Sequence, residues 1–515
     1  MILLYLDSST SSNATTQEMR NVASFLFDGH PDQVVLINAD DLSQRYTRGD
    51  LQQRASAIAS LLADIDCKPG DKIALYLDNS IEFVDVFFGV LMSAMTVVPI
   101  PISYTPPEIG ARLRHSNSRA IIVRNADTLK SNKWRHALDL KRIIALDDCP
   151  KQGSKNLQST NDIDVKHVDP DDIAMLLYTS GTTGSAKAAC ISHRALTTHT
   201  KALVRDSLQL QNGDKVLGVL PFTHSYGLRM TVLAPLIAGA TTYFHTEFDP
   251  LRSLETICSE NIDWIAAVPT MFSAWANCES APKPTSLRWC LSAGAPLSID
   301  IGARAEKALN ASIRQGYGLT EATFCTINAP PDDAIAESVG KPVGDVSIRI
   351  VDASANDVPQ GTSGEVWVHG SNLMRGYLDD VQDTAEVLAN GWLRTGDVGY
   401  LDEFGRLYLI DRIKDVVLVG GRNVYPAEVE NILTQHPSVA QAAVFGIPHD
   451  HYGEEIVAAI VLHPGTKPTV EDLDKWIRER LANFKVPRRY FFIDSFPTTA
   501  SGKISKRELR SVLFP

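Results

Sequence analysis

Two periodicities alternate along most of this chain, and that alternation restricts its architecture more than any other feature. Lys72–Leu77 reads as a buried strand, and Ile81–Ala94 as a helix that starts after Asn79-Ser80. Val97–Ile102 and Ala120–Val123 read as further strands, and the pattern returns at Val216–Leu220, Ala240–Phe244 and Trp264–Val268. Short apolar strands alternating with helices predict α/β layers around a largely parallel sheet. The polar stretch Lys151–Asp172 reads as a surface linker within that body.

The texture changes twice further on. From about Val339, short β-branched strands at Ser347–Val351, Gly364–His369 and Arg406–Ile410 are separated by Gly, Asp and Asn turns. They predict a small antiparallel β-subdomain over about 339–411. After Asp411 helices are predicted at Pro426–Gln435 and Thr469–Ala482, and strands at Val439–Phe445, Ile456–Leu462 and Tyr490–Ile493. The expected organisation is therefore a large N-terminal body of layered α/β subdomains over 1–411. A small, mobile α+β C-terminal domain follows over 412–515.

Charge and cysteine content narrow the function. The 515 residues carry a net charge of −12, which disfavours broad binding to nucleic acid. Residues 412–515 hold fourteen Lys or Arg against twelve Asp or Glu, so a mildly basic unit follows an acidic body. The seven cysteines include no CxxC pair, which points to free thiols in a reducing, cytoplasmic setting. Met1–Leu6 is apolar, but the first basic residue is Arg20, so the n-region of a secretory signal is missing. The apolar stretch Val86–Ile102 is interrupted by Ser93, Thr96, Pro99 and Pro101 and is too short for a membrane span.

The strongest chemical signal is Tyr178-Thr-Ser-Gly-Thr-Thr-Gly-Ser-Ala-Lys187, directly after the apolar strand Ile173–Leu177. Small residues there expose backbone N–H groups and hydroxyls, glycine lets the main chain approach phosphate, and lysine adds a point charge. The spacing Gly181-x-x-Gly184-x-x-Lys187 is not that of a Walker A loop. The loop resembles the phosphate loop of the adenylate-forming superfamily: acyl- and aryl-CoA ligases, peptide-synthetase adenylation domains and luciferase. Other segments resemble that superfamily in order: Leu220–Leu228, Leu291–Leu297, Gln315–Ala322, Trp392–Gly399, Asp411–Asp415 and Pro497–Lys503.

The resemblance implies an enzyme that condenses a carboxylic acid with ATP, expels pyrophosphate, and passes the acyl group to coenzyme A. It implies ATP, Mg²⁺ and coenzyme A as cofactors. Two alternatives stay open: the phosphopantetheine of a carrier protein as acceptor, and a non-catalytic member that keeps only the fold.

By the same resemblance, Thr179, Ser180, Gly181, Thr182, Thr183, Gly184 and Lys187 hold phosphates, and Thr320 donates to the α-phosphate. Glu321, with Thr179, is the expected Mg²⁺ ligand, since a lone carboxylate among phosphates needs a cation. Tyr317, between Gly316 and Gly318, sandwiches adenine against Gly294-Ala295-Pro296. Asp397, in what reads as a Thr-Gly-Asp turn, takes the ribose hydroxyls. Arg412 reaches the ribose or phosphate side. Lys503 bridges the acyl carboxylate and the α-phosphate.

His224, Ser225, Tyr226 and Gly294 are expected at the acyl site, together with Val268–Phe272, although His224 also reads as a satisfied core histidine. Lys414 is the expected hinge. Gly420 and Gly421 suit either a narrow thiol channel or a simple turn. A zinc cluster at His449-Asp-His451 with Glu454 and Glu455 is disfavoured, because the ligands crowd onto one turn.

The chain departs from the family pattern in places. Ala186 and Ala188 replace the usual Pro and Gly around Lys187, which loosens the loop without removing charge. Leu418 stands where luciferase-type members have lysine, and the chain ends Leu513-Phe-Pro515, so light emission and peroxisomal import are not expected. Residues 220–228 hold no carboxylate to pair with an ammonium, which disfavours an α-amino acid. An acid uncharged beyond its carboxylate, aliphatic or aryl, is expected.

Overall fold

Ser80 accepts a hydrogen bond from the Phe83 N–H and starts helix Ile81–Met92. Every residue of that helix except Glu82 is buried, as its near-continuous apolar run requires. It packs beside helix Arg48–Asp64, which begins in a Thr47/Asp50 capping box. In the computed structural model the described residues are 21–125, 143–148, 164–179, 187–278, 281–449, 452–498 and 504–514. Residues 151–163 of the predicted linker lie outside that set.

Four sheets carry the fold among the described residues. A six-stranded sheet runs Ile143–Ala145, Ala120–Val123, Lys72–Tyr76, Thr96–Pro99, Ile173–Tyr178 and Ala188–Ser192. All neighbours are parallel except the last pair, which closes as a hairpin. A nine-stranded sheet has a parallel centre: Ser312–Leu319, Trp289–Ala293, Trp264–Ala267, Lys215–Gly218, Thr241–Phe244 and Val34–Asn38. Antiparallel strands flank it on both sides. The predicted parallel layers are therefore present, divided between two sheets.

A third, antiparallel sheet of five strands contains Ser347–Val351, Gly364–His369 and Leu407–Arg412, close to their predicted spans. Its centre is Trp392–Leu401, where only a turn was expected. Thr395-Gly396-Asp397 forms a bulge inside that ten-residue strand, with Gly396 at φ +70° and the register slipping on both sides. A turn-forming triplet inside a strand gives a turn signal without ending the strand.

The fourth sheet belongs to the C-terminal unit, built on the long hairpin Val439–His449/Gly453–Leu462. Strand Arg489–Phe492 lies parallel to Gly453–Leu462, and helices Pro426–Thr434 and Val470–Arg478 pack with the sheet's own core. The second of these helices stops short of the predicted Ala482. The chain thus has a large α/β N-terminal body and a small α+β C-terminal domain. One hydrophobic cluster contains residues from the first three sheets, including Leu75, Ile191, Tyr317, Ala322, Val368 and Leu393. The candidate site lies where these three sheets meet.

Candidate active site

Parallel pairing sets the first part of the site. Ala293, the last residue of its strand, stands opposite Gly316, so Gly294-Ala295-Pro296 leaves the sheet beside Tyr317. Gly294 has φ +90°, which turns the chain away from the sheet. Gly318 has no room for a side chain: a Cβ there would lie 2.5 Å from the Phe324 nitrogen. Thr320 and Glu321 are the two turn residues between strands Ser312–Leu319 and Ala322–Ile327.

Asp397 is 6% exposed and is held from two sides. The Tyr317 hydroxyl donates to its Oδ2 at 2.5 Å, and Arg412 Nε donates to its Oδ1 at 3.0 Å. Burial, with the Asp397 charge next, pushes the Tyr317 phenol well above its usual 10, so it stays a donor. Partial burial would lower the Arg412 guanidinium. Asp397 more than offsets this, with Tyr317, Asp415 and Glu321 adding to it, and the net direction is up. The Lys414 ammonium is pulled down, by burial first and then by Arg412.

A second group forms around Tyr377. Its hydroxyl donates to Glu321 Oε1 at 2.7 Å, leaving Oε2 without a partner among the described residues. Lys187 Nζ stands 5.2 Å from the centre of the Tyr377 ring and forms an ion pair with Asp383. Lys187 closes the hairpin loop opened by Thr179, whose N–H donates to the Lys187 carbonyl at 2.9 Å. Segment 375–378 is laid along strand Ala188–Ser192: Arg375 N–H donates to the Cys190 carbonyl, Cys190 N–H to Gly376, and Leu378 N–H to Ala188. Leu373 bridges Ala322, and Met374 N–H donates to the Glu321 carbonyl. One short segment therefore joins the six-stranded sheet to the hairpin of the nine-stranded sheet.

The structure thus brings together Lys187, Tyr317, Glu321, Asp397 and Arg412 at one seam, with Thr179 and Thr320 in the adjoining turns. Ser180, Gly181, Thr182, Thr183, Gly184 and Lys503 lie outside the described residues. Tyr377 and Asp383 were missed in the sequence. Neither belongs to a phosphate-loop pattern, and their relevance depends on a strand pairing that sequence spacing does not reveal.

The Leu220–Leu228 segment is a tight turn entering a helix. His224 caps it, its Nδ1 accepting from the Tyr226 N–H at 3.2 Å. Tyr226 is buried, and its hydroxyl donates to the Ala267 and Leu291 carbonyls at 3.1 and 3.0 Å. Phe272 is fully buried in the core. Gly420 and Gly421, at φ +57° and +78°, form the two-residue turn between strands Val417–Val419 and Arg422–Val424. Positive φ at both central residues is what a type I′ hairpin demands, so the turn alone accounts for the glycine pair. Among the described residues no cluster of His, Cys, Asp and Glu could hold a metal by itself, and His449 contacts Glu455 at 3.7 Å. No helix among them is long and apolar enough to cross a membrane.

Comparison with known proteins identifies the family. Residues 26–378 match the family described as AMP-binding enzyme, and residues 428–503 match the AMP-binding enzyme C-terminal domain. A feruloyl-CoA synthase from Amycolatopsis sp is 33% identical, over 90% of this chain and 93% of its own length. An oxalate–CoA ligase from Arabidopsis thaliana is also 33% identical, over 89% and 91%. The crystal structure of ATP-bound MatB from Rhodopseudomonas palustris superposes with a TM-score of 0.87 at 26% identity, covering 96% of this chain and 98% of that one. The chain belongs to the AMP-binding enzyme family.

Proposed function

We propose that this chain is an AMP-forming acid–thiol ligase: it converts a carboxylic acid to its acyl-adenylate at the seam of the three sheets and then to the coenzyme A thioester. The observation that carries the reading is one buried acidic anchor, Asp397, set apart from a cation and a carboxylate, Lys187 and Glu321, that both contact Tyr377. A nucleoside triphosphate has the complementary polarity, with hydroxyls on its sugar and anionic oxygens on its phosphates.

Among the described residues each Asp397 oxygen has one partner, and its second lone pair can accept from a ribose hydroxyl. Tyr317, fixed at its hydroxyl, presents its ring beside Gly294-Ala295-Pro296 for adenine. Lys187 meets the phosphates as a point charge once it leaves Asp383. Glu321, with one oxygen unpartnered among the described residues, fits Mg²⁺, which takes one or two carboxylates and completes its shell with phosphate oxygens and water. When bound, the metal neutralises phosphate charge. Arg412, already on Asp397, adds positive charge near the ribose. Lys503 would offset the repulsion between the acid and the α-phosphate, leaving the carboxylate oxygen to attack phosphorus while pyrophosphate departs. His224 and Ser225 would line the acyl end.

The test is pyrophosphate release with a panel of carboxylic acids, with coenzyme A present or omitted. Release with at least one acid, and thioester only when coenzyme A is added, is the expected result. Lys503→Ala should slow adenylate formation by roughly 10²-fold, the scale of one preorganised charge-stabilising donor. Thioester formation from ready-made acyl-adenylate should stay near wild type. No pyrophosphate release with any acid would point to the non-catalytic alternative, and acyl transfer only to a carrier protein would replace the acceptor.

A further inference from the structure

Lys187 and Glu321 carry opposite charges at one end of the site, yet they do not pair with each other. Lys187 is taken by Asp383, and Glu321 by the Tyr377 hydroxyl. Tyr377 touches both: its ring lies under the ammonium and its hydroxyl reaches the carboxylate. We propose that Tyr377 is a positioning residue for the phosphate end of the site, holding Glu321 and Lys187 apart and oriented before nucleotide binds. This rests on the reading of Glu321 as the metal-facing carboxylate.

The backbone supports the role. Tyr377 is bridged to Ala189, and its neighbours hydrogen-bond to Ala188 and Cys190. Its own N–H donates to Thr384 Oγ1 at 2.8 Å, and that hydroxyl donates to the Asp380 carbonyl at 2.6 Å. The phenol therefore hangs from main chain fixed on both sides. The hydroxyl donates to a carboxylate oxygen, which has no proton of its own to give back. That bond takes one oxygen of Glu321 and leaves the other for a cation.

Without the hydroxyl, Glu321 loses the hydrogen bond that orients it and is freer to turn toward the Lys187 ammonium. The resulting pair would consume the anion intended for the metal and the cation intended for phosphate. The ring face attracts the Lys187 ammonium, while the hydroxyl is what orients the carboxylate.

The experiment is Mn²⁺ binding, read by electron paramagnetic resonance, to the full chain with ATP and no acid, so that no turnover occurs. Tyr377→Phe keeps the ring and removes only the hydroxyl. We expect Mn²⁺ to bind roughly tenfold more weakly, the effect of one hydrogen bond to a charged group. Glu321→Gln should weaken it at least as much, and the double variant no more than Glu321→Gln alone, because Tyr377 acts through Glu321. Weaker binding in Glu321→Gln with none in Tyr377→Phe overturns the proposal and leaves the reading of Glu321 standing. Unchanged binding in Glu321→Gln overturns both. Losses that add in the double variant mean that Tyr377 acts on the fold rather than on Glu321, which also overturns the proposal.

Discussion

His193 is 1% exposed at the first position of helix His193–Leu203, where its Nδ1 accepts from the Val22 N–H at 3.1 Å. Burial pulls its pKa down to about 4 from 6.5, with Asp172 opposing. A helix N-terminus also disfavours an added positive charge. The folded ring is neutral, so the unfolded chain binds more protons between these two values, and stability rises with pH across the window. His193 costs nothing above about pH 6.5. As pH falls toward 4 the cost grows to roughly 3 kcal/mol. Urea unfolding followed by the buried tryptophans Trp264 and Trp289 should therefore lose more stability between pH 7 and 4.5 in wild type than in His193→Gln. Equal losses would clear His193 of the effect. At this scale the sequence was most informative where a residue carries its charge in a recognisable string, as Lys187, Glu321, Asp397 and Arg412 do. It was silent on Tyr377, whose partners lie 56 and 188 to 190 positions away along the chain.

The turn at Leu220–Gly227 depends on a close approach of main chain. A Cβ at Gly227 would fall 2.0 Å from the Pro221 carbonyl oxygen, and backbone cannot yield as a side chain can. Gly227→Ala should destabilise the body by about 1–3 kcal/mol and displace His224 from its cap. The expected kinetic sign is a raised KM for the acid with KM for ATP little changed. A raised KM for ATP alone would separate this turn from the acyl end. Elements with continuous apolar runs, such as Lys72–Tyr76, Ala120–Val123 and Trp264–Ala267, were legible because burial on both faces leaves no other reading. Trp392–Leu401 was not, because its bulge imitates a turn. Nor could spacing show how the parallel strands divide between two sheets, since that follows from tertiary packing rather than local pattern.

At the scale of the molecule, residues 411–416 join the large body to the small C-terminal domain. Asp411 accepts from the Ala427 N–H, at the start of helix Pro426–Thr434, while Arg412 holds Asp397 in the body. Ile413–Asp415 is a single 3₁₀ turn between them. If the C-terminal domain presents Lys503 for the first step and another face for the second, these few residues must absorb the rotation. Lys414→Pro fixes φ near −65° and restricts Ile413. One half-reaction should then fall by orders of magnitude while the other survives. Timing each in the folded variant checks this, and wild-type rates in both would remove residue 414 as the pivot. The segment beside Tyr377 bears on a different property, solubility. Strand Ala188–Ser192 is the last of its sheet, and residues 375–378 occupy hydrogen-bonding groups that would otherwise stand open to another chain. The same residues that arrange the phosphate end also keep this edge from pairing with a second molecule. A variant that loosens them would show self-association, so its lost activity has to be read beside its monodispersity.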